Sequence, residues 1–204
     1  MSGVPFAILR HASTAWNEER RLQGLTDTTL SAAGEADARS WRLPPPSAGW
    51  SRVSSPLQRA RRTAELLQPS AAVTVDSALR EMSFGVWESR TIAELRREVG
   101  EAFLAEECKG LDFQPPGGES PRSAMTRIGG WAARIAGTGR PVVAVSHKAA
   151  IRALLALATG WDMTGRPPHK LDWHSVHFFT ARPDGSIAVD RLNVPLTTEK
   201  VRTS

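Results

Sequence analysis

Two apolar runs in this chain stop on histidine. Val4 to Leu9 is continuous rather than alternating, as a strand buried on both faces must be, and it leads directly into Arg10-His11. Val142 to Val145 does the same and leads into Ser146-His147-Lys148, with a helix expected straight after. A third short segment, Arg52-Val53-Ser54-Ser55, leads through Pro56 to Arg59, Arg61 and Arg62. In open α/β sheets ligands collect at the carboxyl ends of strands. Two imidazoles, at least one guanidinium and two helix N-termini are therefore expected to face one crevice. Such a set attracts an oxyanion carrying several charges. Guanidinium forks match phosphate oxygens in pairs, helix N-termini offer free N–H groups and a positive dipole end, and neutral imidazole attacks phosphorus as a nucleophile. The chemistry indicated is phosphoryl transfer.

The elements that must position these residues can be read from pattern and punctuation. A helix is expected from Ser31, as N-cap, to Trp41, ended by Pro44-Pro45-Pro46. Pro56 is expected at the first position of a helix continuing from Leu57 to Leu67, followed by a short strand at Val73 to Val75. Thr91 and Glu94 fit a capping box that opens a helix through Val99, and Glu101 to Lys109 continues as a second helix. Gln114 to Gly118 is a loop, and Ser120-Pro121 starts a long helix to about Ala136. The strand at 141–146 precedes a helix from about Ala149 to Thr159, and Arg182-Pro183-Asp184-Gly185 turns a hairpin between Ser175–Thr180 and Ser186–Asn193. Strands alternating with helices predict an α/β fold: a three-layer αβα arrangement around a mostly parallel sheet, with a helical excursion near residues 80–120 and a C-terminal hairpin. The 204 residues suit one domain spanning 1–204.

Composition narrows the function classes. The 26 basic residues are 22 Arg and 4 Lys, scattered from Arg10 to Arg202 without a block of like charge, and the net charge is +5. With aromatics at 6% and no stacking motif, a nucleic-acid partner is not expected. No stretch approaches the roughly 20 apolar residues of a membrane span, and no secretory leader is evident. The single cysteine, Cys108, allows no internal disulfide and is expected to be inert. A cytoplasmic location is expected, and a homodimer is compatible with the sequence.

Arg10-His11-Ala12-Ser13-Thr14-Ala15-Trp16-Asn17 resembles the RHGxTxxN signature of the histidine phosphatase superfamily, the phosphoglycerate-mutase-like proteins. Leu22 to Asp27, Leu30 to Gly34, Ser54 to Ala60, Leu79 to Glu88, Pro115 to Ser120 and Val145 to His147 resemble further family segments, in the family's order. The resemblance implies a phosphoglycerate-mutase-like fold and a role for each matching position. His11 is the nucleophile that forms a phosphohistidine. Arg10, Arg59 and His147 bind the phosphoryl oxygens, and Glu81 protonates the leaving oxygen and then activates water. Thr14, Asn17, Gln23 and Gly24 line the substrate pocket. No cofactor and no metal is implied, because arginine supplies the charge that Mg²⁺ supplies in kinases, and no Asp/His cluster has metal-ligand spacing.

Competing assignments follow from the same residues. Glu88 rivals Glu81 as the acid. Arg61 and Arg62 rival Arg59 but suit a solvated helix face, and His169, His174 and His177 suit loop and hairpin positions. Ala12 stands at the family's usual glycine, so its φ is expected to be negative. Lys148 also replaces a common glycine; it reaches an anionic substrate group or points to solvent. Phe84 stands at a tyrosine of the mutases. The leaving-group pocket is expected from residues 82–120 and the Arg166–Trp173 loop. The resemblance is greatest to the small bacterial phosphatases, the α-ribazole-phosphate phosphatases among them. It implies a metal-independent phosphomonoester hydrolase acting on a small phosphorylated metabolite, with a cofactor-dependent phosphoglycerate mutase as the alternative.

Overall fold

A computed structural model describes residues 3–198; the two ends of the expected 1–204 domain, Arg202 included, lie outside the described residues. Strand β1 (Val4–Arg10) alternates its side chains between two cores. Phe6 and Ile8 pack with α6 (Pro121–Thr138) and α7 (Lys148–Thr159), through Ile128, Trp131, Ile151 and Leu154. Ala7 and Leu9 face the other way, onto α2 (Ala32–Ser40) and α3 (Gln58–Leu67), through Ala38, Ala60, Ala64 and Leu67. A strand whose neighbours on both faces are helices has no solvated side, which is why its sequence reads as one unbroken apolar run.

The main sheet has six strands in the order β4-β3-β5-β1-β6-β7. β3 (Ser51–Ser54), β4 (Val73–Val75) and β5 (Val142–Ser146) run parallel to one another and to β1. The expected hairpin, β6 (Ser175–Ala181) and β7 (Ile187–Pro195), does more than fold on itself. β6 pairs antiparallel with β1 from Val4↔Ala181 to Leu9↔Val176, so the hairpin extends the central sheet. A second, two-stranded sheet joins β2 (Trp41–Arg42) to β8 (Thr197–Thr198).

Three sequence expectations shift for local reasons. Pro56 is not the first helical residue: α3 starts at Gln58, because Asp27, remote in sequence, accepts from the Gln58 N–H at 2.7 Å and caps the helix in its place. The helix expected through Trp41 ends at Ser40, since Trp41 is drawn into pairing with Thr198. A one-turn helix α1 (Ala15–Glu18) was not expected; Thr14 and Asn17 close a capping box on it, and four residues are too few to show a period. The helical excursion near 80–120 holds α4 (Ile92–Val99) and α5 (Glu101–Glu107), packed through a small cluster of Trp87, Leu95 and Phe103. It is tied to the chain after α1 by Leu22 N–H to Arg90 C=O and Ser89 N–H to Leu22 C=O, both 2.8 Å.

Candidate active site

β5 lies between β1 and β3 and parallel to both, with Arg10 in register with Ser146 and Ser54 with Val145. The chain leaves all three strands at the same edge. His11 N–H donates to Ser146 C=O and Ser55 N–H to Val145 C=O, each at 3.0 Å, so the ladders run one residue past the strands. This brings the two histidines together: the His11 and His147 ring centroids are 5.1 Å apart, and both residues are buried. Ala12, on the turn that follows, does not have a positive φ, as expected for a residue with a Cβ there.

His11 Nδ1 lies 2.7 Å from the Ala12 carbonyl oxygen. A carbonyl only accepts, so Nδ1 carries the proton and the lone pair of the neutral ring is on Nε2. Burial first, and then the Arg10 and Arg59 cations, hold the His11 pKa well below its usual value. The ring is therefore a free base at neutral pH, as a nucleophile must be. His147 is lowered well below its usual value by burial, with His11, Arg59 and Arg10 adding. Its Nε2 lies 2.7 Å from Ser55 Oγ, and its Nδ1 is buried without a hydrogen-bond partner among the described residues.

Arg59, in the first turn of α3, is fully buried and donates to Thr26 C=O at 2.9 Å and Gly24 C=O at 2.8 Å, while its Nε has no partner among the described residues. The guanidinium of Arg10 makes no hydrogen bond among the described residues, and its Nε is buried. Burial lowers the pKa of both, with Glu81 opposing that shift. Each cation has thus lost water without gaining a carboxylate in contact, a deficit that a multiply charged oxyanion would repair. Arg62 pairs with Glu35 and Arg61 is exposed, as expected of a solvated helix face.

Glu81 and Glu88 separate cleanly. Glu81 lines the cavity in front of His11; its Oε1 accepts from Met82 and Ala150 N–H and its Oε2 from Ala149 N–H, so the N-terminus of α7 orients the carboxylate. Glu88 instead clamps the loop after Gln23. Its Oε1 accepts from Leu25 and Phe84 N–H and its Oε2 from Thr26 N–H and hydroxyl, which leaves it away from the cavity. Gly24 is required under this clamp. Its φ is +54°, and a Cβ there would lie 2.0 Å from Glu88 Oε1.

The cavity, ≈ 630 Å³, is lined by Arg10, His11, Arg59, Glu81, Asn17 and Gln23 among the expected residues. Thr14 and Gly24 do not line it. Thr14 is fully buried, its hydroxyl engaged by Asn17 N–H and Gln23 Oε1, and the Gly24 carbonyl is occupied by Arg59. Both shape the pocket from behind. His147 stands against His11 rather than on the cavity wall. Residues of the 82–120 segment form the expected wall, with Phe84, Ile92 and Phe113, but the Arg166–Trp173 loop contributes none of it; Met163, just before that loop, does. Lys148 lines the cavity, which resolves its orientation, and Arg152, which belongs to no recognisable motif, lines it too. The signal was available: residues four apart on a helix share a face, and Lys148 is the first residue of α7.

A model of the histidine phosphatase superfamily (branch 1) matches residues 6–195. The chain belongs to the histidine phosphatase superfamily. Among relatives in this superfamily, the probable phosphoglycerate mutase GpmB of Salmonella paratyphi B is 36% identical over 160 residues, 75% of this chain and 74% of that protein. The structure of mycobacterial glucosyl-3-phosphoglycerate phosphatase with VO3 superposes with a TM-score of 0.77 at 28% identity, covering 94% of this chain and 99% of that one. Phosphoserine phosphatase from Entamoeba histolytica shares the fold, with a TM-score of 0.75 at 23% identity over 93% and 96% of the two chains. Membership makes the chain an enzyme of the phosphatase and mutase kind. Among the described residues no helix is long and apolar enough to cross a membrane.

A third buried imidazole, His177 on β6, takes no part in the site, as its hairpin position suggested. Its Nδ1 accepts from Asn193 N–H, and burial lowers its pKa to about 4. The unfolded chain returns it to an ordinary value near 6.5. Below that pH the unfolded state binds more protons, so the stability held by neutral His177 is complete above pH 6.5 and is lost as pH falls from there through about 4. The full loss is roughly 3 kcal/mol. Urea unfolding of wild type and His177→Gln, followed from pH 7.5 to 4.5, is expected to give a dependence shallower in the variant by about 1.4 kcal/mol per pH unit below pH 6. Parallel curves would show that His177 does not resist protonation in the native state.

Proposed function

We propose that the protein is a metal-independent phosphomonoester hydrolase that works through phosphohistidine at His11. The observation that carries this reading is the free-base His11 Nε2 held 5.1 Å, ring to ring, from a second buried imidazole and flanked by two desolvated guanidinium groups. His11 Nε2 attacks phosphorus and the ester P–O bond breaks; Glu81 gives its proton to the departing alkoxide. Arg10 and Arg59 carry the charge of the transferring group, and with Ser55 O–H donating to His147 Nε2, the unpartnered Nδ1 of the neutral ring would carry the proton and donate to a phosphoryl oxygen. In the second half, Glu81 takes a proton from water as its oxygen attacks phosphorus; the P–Nε2 bond breaks, phosphate leaves and His11 returns to its starting state. Asn17 and Gln23 would contact the leaving group.

Hydrolysis is favoured over phosphoryl return by the size of the cavity, which exceeds the need of a phosphoryl group and leaves room for water beside phosphohistidine. The likeness to a phosphatase across 94% of the chain supports the same reading. The mutase alternative rests on the 36% identical relative. Incubation with 3-phosphoglycerate and a trace of 2,3-bisphosphoglycerate distinguishes them. Inorganic phosphate is expected to appear faster than 2-phosphoglycerate; the reverse order would assign the mutase.

A further inference from the structure

We infer that Lys148 and Arg152 form a second anion subsite, so that the preferred substrate is a phosphomonoester whose leaving group carries its own negative charge. This deepens the hydrolase reading and rests on it. The two residues stand one turn apart on α7 and both line the cavity that holds His11, Arg10 and Glu81. Like charges four apart on a helix repel, and here neither makes an ion pair among the described residues; Glu81 acts on Lys148 only from a distance. Five other arginines of the chain each hold a carboxylate. Arg62 pairs with Glu35, Arg96 with Glu107, Arg122 with Asp112, Arg127 with Glu119 and Arg134 with Asp76. Lys148 and Arg152 have no such partner and stand where a substrate would lie.

Both side chains are braced rather than free. Lys148 Nζ lies 5.5 Å from the centre of the Trp173 ring, and the Arg152 guanidinium carbon 5.1 Å from that of Trp161. An indole face attracts and orients a cation without neutralising it. The charge balance of the cavity then leads to the ligand. Arg10 and Arg59 answer a phosphoryl dianion, and Glu81 is committed to proton transfer. Of the other charged lining residues, Arg21 pairs with Glu19, Glu107 pairs with Arg96 and Arg20 is exposed; Lys148 and Arg152 remain, and a substrate anion would give them a partner. Leu22, Phe84, Ile92 and Phe113 supply the apolar part of the same lining, which suits a leaving group with a carbon skeleton and an anionic end. A carboxylate and a second phosphate both have this chemistry.

The test uses the full chain and three esters that differ at one end: glycerol 3-phosphate, 3-phosphoglycerate and glycerol 1,3-bisphosphate, with phosphate release as the readout. Wild type is expected to favour at least one anionic ester over glycerol 3-phosphate by about 10- to 100-fold in kcat/KM, the range of a charge-assisted pair. The ester with the larger ratio identifies carboxylate or phosphate as the group bound. Lys148→Met and Arg152→Met are each expected to lower that ratio by about tenfold or more, while Lys148→Arg retains it. A wild-type ratio near one, or a ratio that neither methionine variant moves, would overturn the subsite. Because each ratio compares two substrates on one protein, partial misfolding of a variant cancels. If glycerol 3-phosphate is hydrolysed by wild type and not by His11→Ala, the hydrolase reading survives that failure. If wild type releases phosphate from none of the three, both readings fall.

Discussion

His11→Ala is expected to reduce phosphate release by about 10⁴- to 10⁶-fold, with any aryl or alkyl phosphate. On the proposed mechanism the side chain's Nε2 is the atom that bonds with phosphorus. Its Nδ1 proton is held by the Ala12 carbonyl, which leaves Nε2 as the base, and its pKa is held well below the usual histidine value. Without it the two-step route disappears, and what remains is direct attack by water in the field of Arg10 and Arg59. The neutral ring forms one side-chain hydrogen bond, to its neighbour's carbonyl, so the loss of stability at pH 7.5 is expected to stay near 1–2 kcal/mol. The covalent intermediate gives a second readout. Wild type mixed with ³²P-labelled substrate and quenched in denaturant should retain label that is lost in acid and kept in base, as a phosphoramidate bond behaves, and His11→Ala should retain none. Undiminished turnover in the alanine variant, or label that survives acid, would remove His11 as the nucleophile.

Arg10→Ala and Arg59→Ala are expected to lose similar activity and very different stability. Each guanidinium lines the cavity and, on the proposed mechanism, faces the transferring group, so removing one is expected to cost about 10²- to 10³-fold in kcat/KM. Their other duties differ. Arg59 is fully buried and holds the Gly24 and Thr26 carbonyls, so it fastens the loop that Glu88 clamps from the opposite side. Alanine there strips two carbonyls of their donors inside the fold, and a destabilisation of about 3–5 kcal/mol is expected. Arg10 is half-buried and makes no hydrogen bond among the described residues, while burial lowers its pKa. Its removal relieves a desolvated cation, so stability should change by no more than about 1 kcal/mol. Urea unfolding with and without phosphate separates the effects. Phosphate stabilises whatever binds it in the native state, and that gain should shrink in both variants. Equal losses of intrinsic stability would show that Arg59 does not brace the loop.

Much of the site was legible because its parts are local. An apolar run that stops on Arg10-His11 and another that stops on Ser146-His147 each state a strand and its tip, and Thr91 with Glu94 states a helix start. Such signals survive in a linear reading because burial pattern and capping act within a few residues. The rival carboxylates could not be ranked in the same way. Glu81 and Glu88 are both acids on one short segment; what separates them is that α7 meets one and the 24–26 loop meets the other.

The sequence by itself determined the α/β class, the strand tips, the residue types gathered at them and therefore phosphoryl chemistry. Tertiary structure decided the rest. Placing β5 between β1 and β3 set the distance between the two imidazoles, docking β6 on β1 completed the sheet, and the start of α7 aimed Lys148 and Arg152 into the cavity. The physical reason is separation along the chain. Which strands pair across more than a hundred residues depends on the summed packing of both faces of the sheet, and no short window of sequence contains that sum.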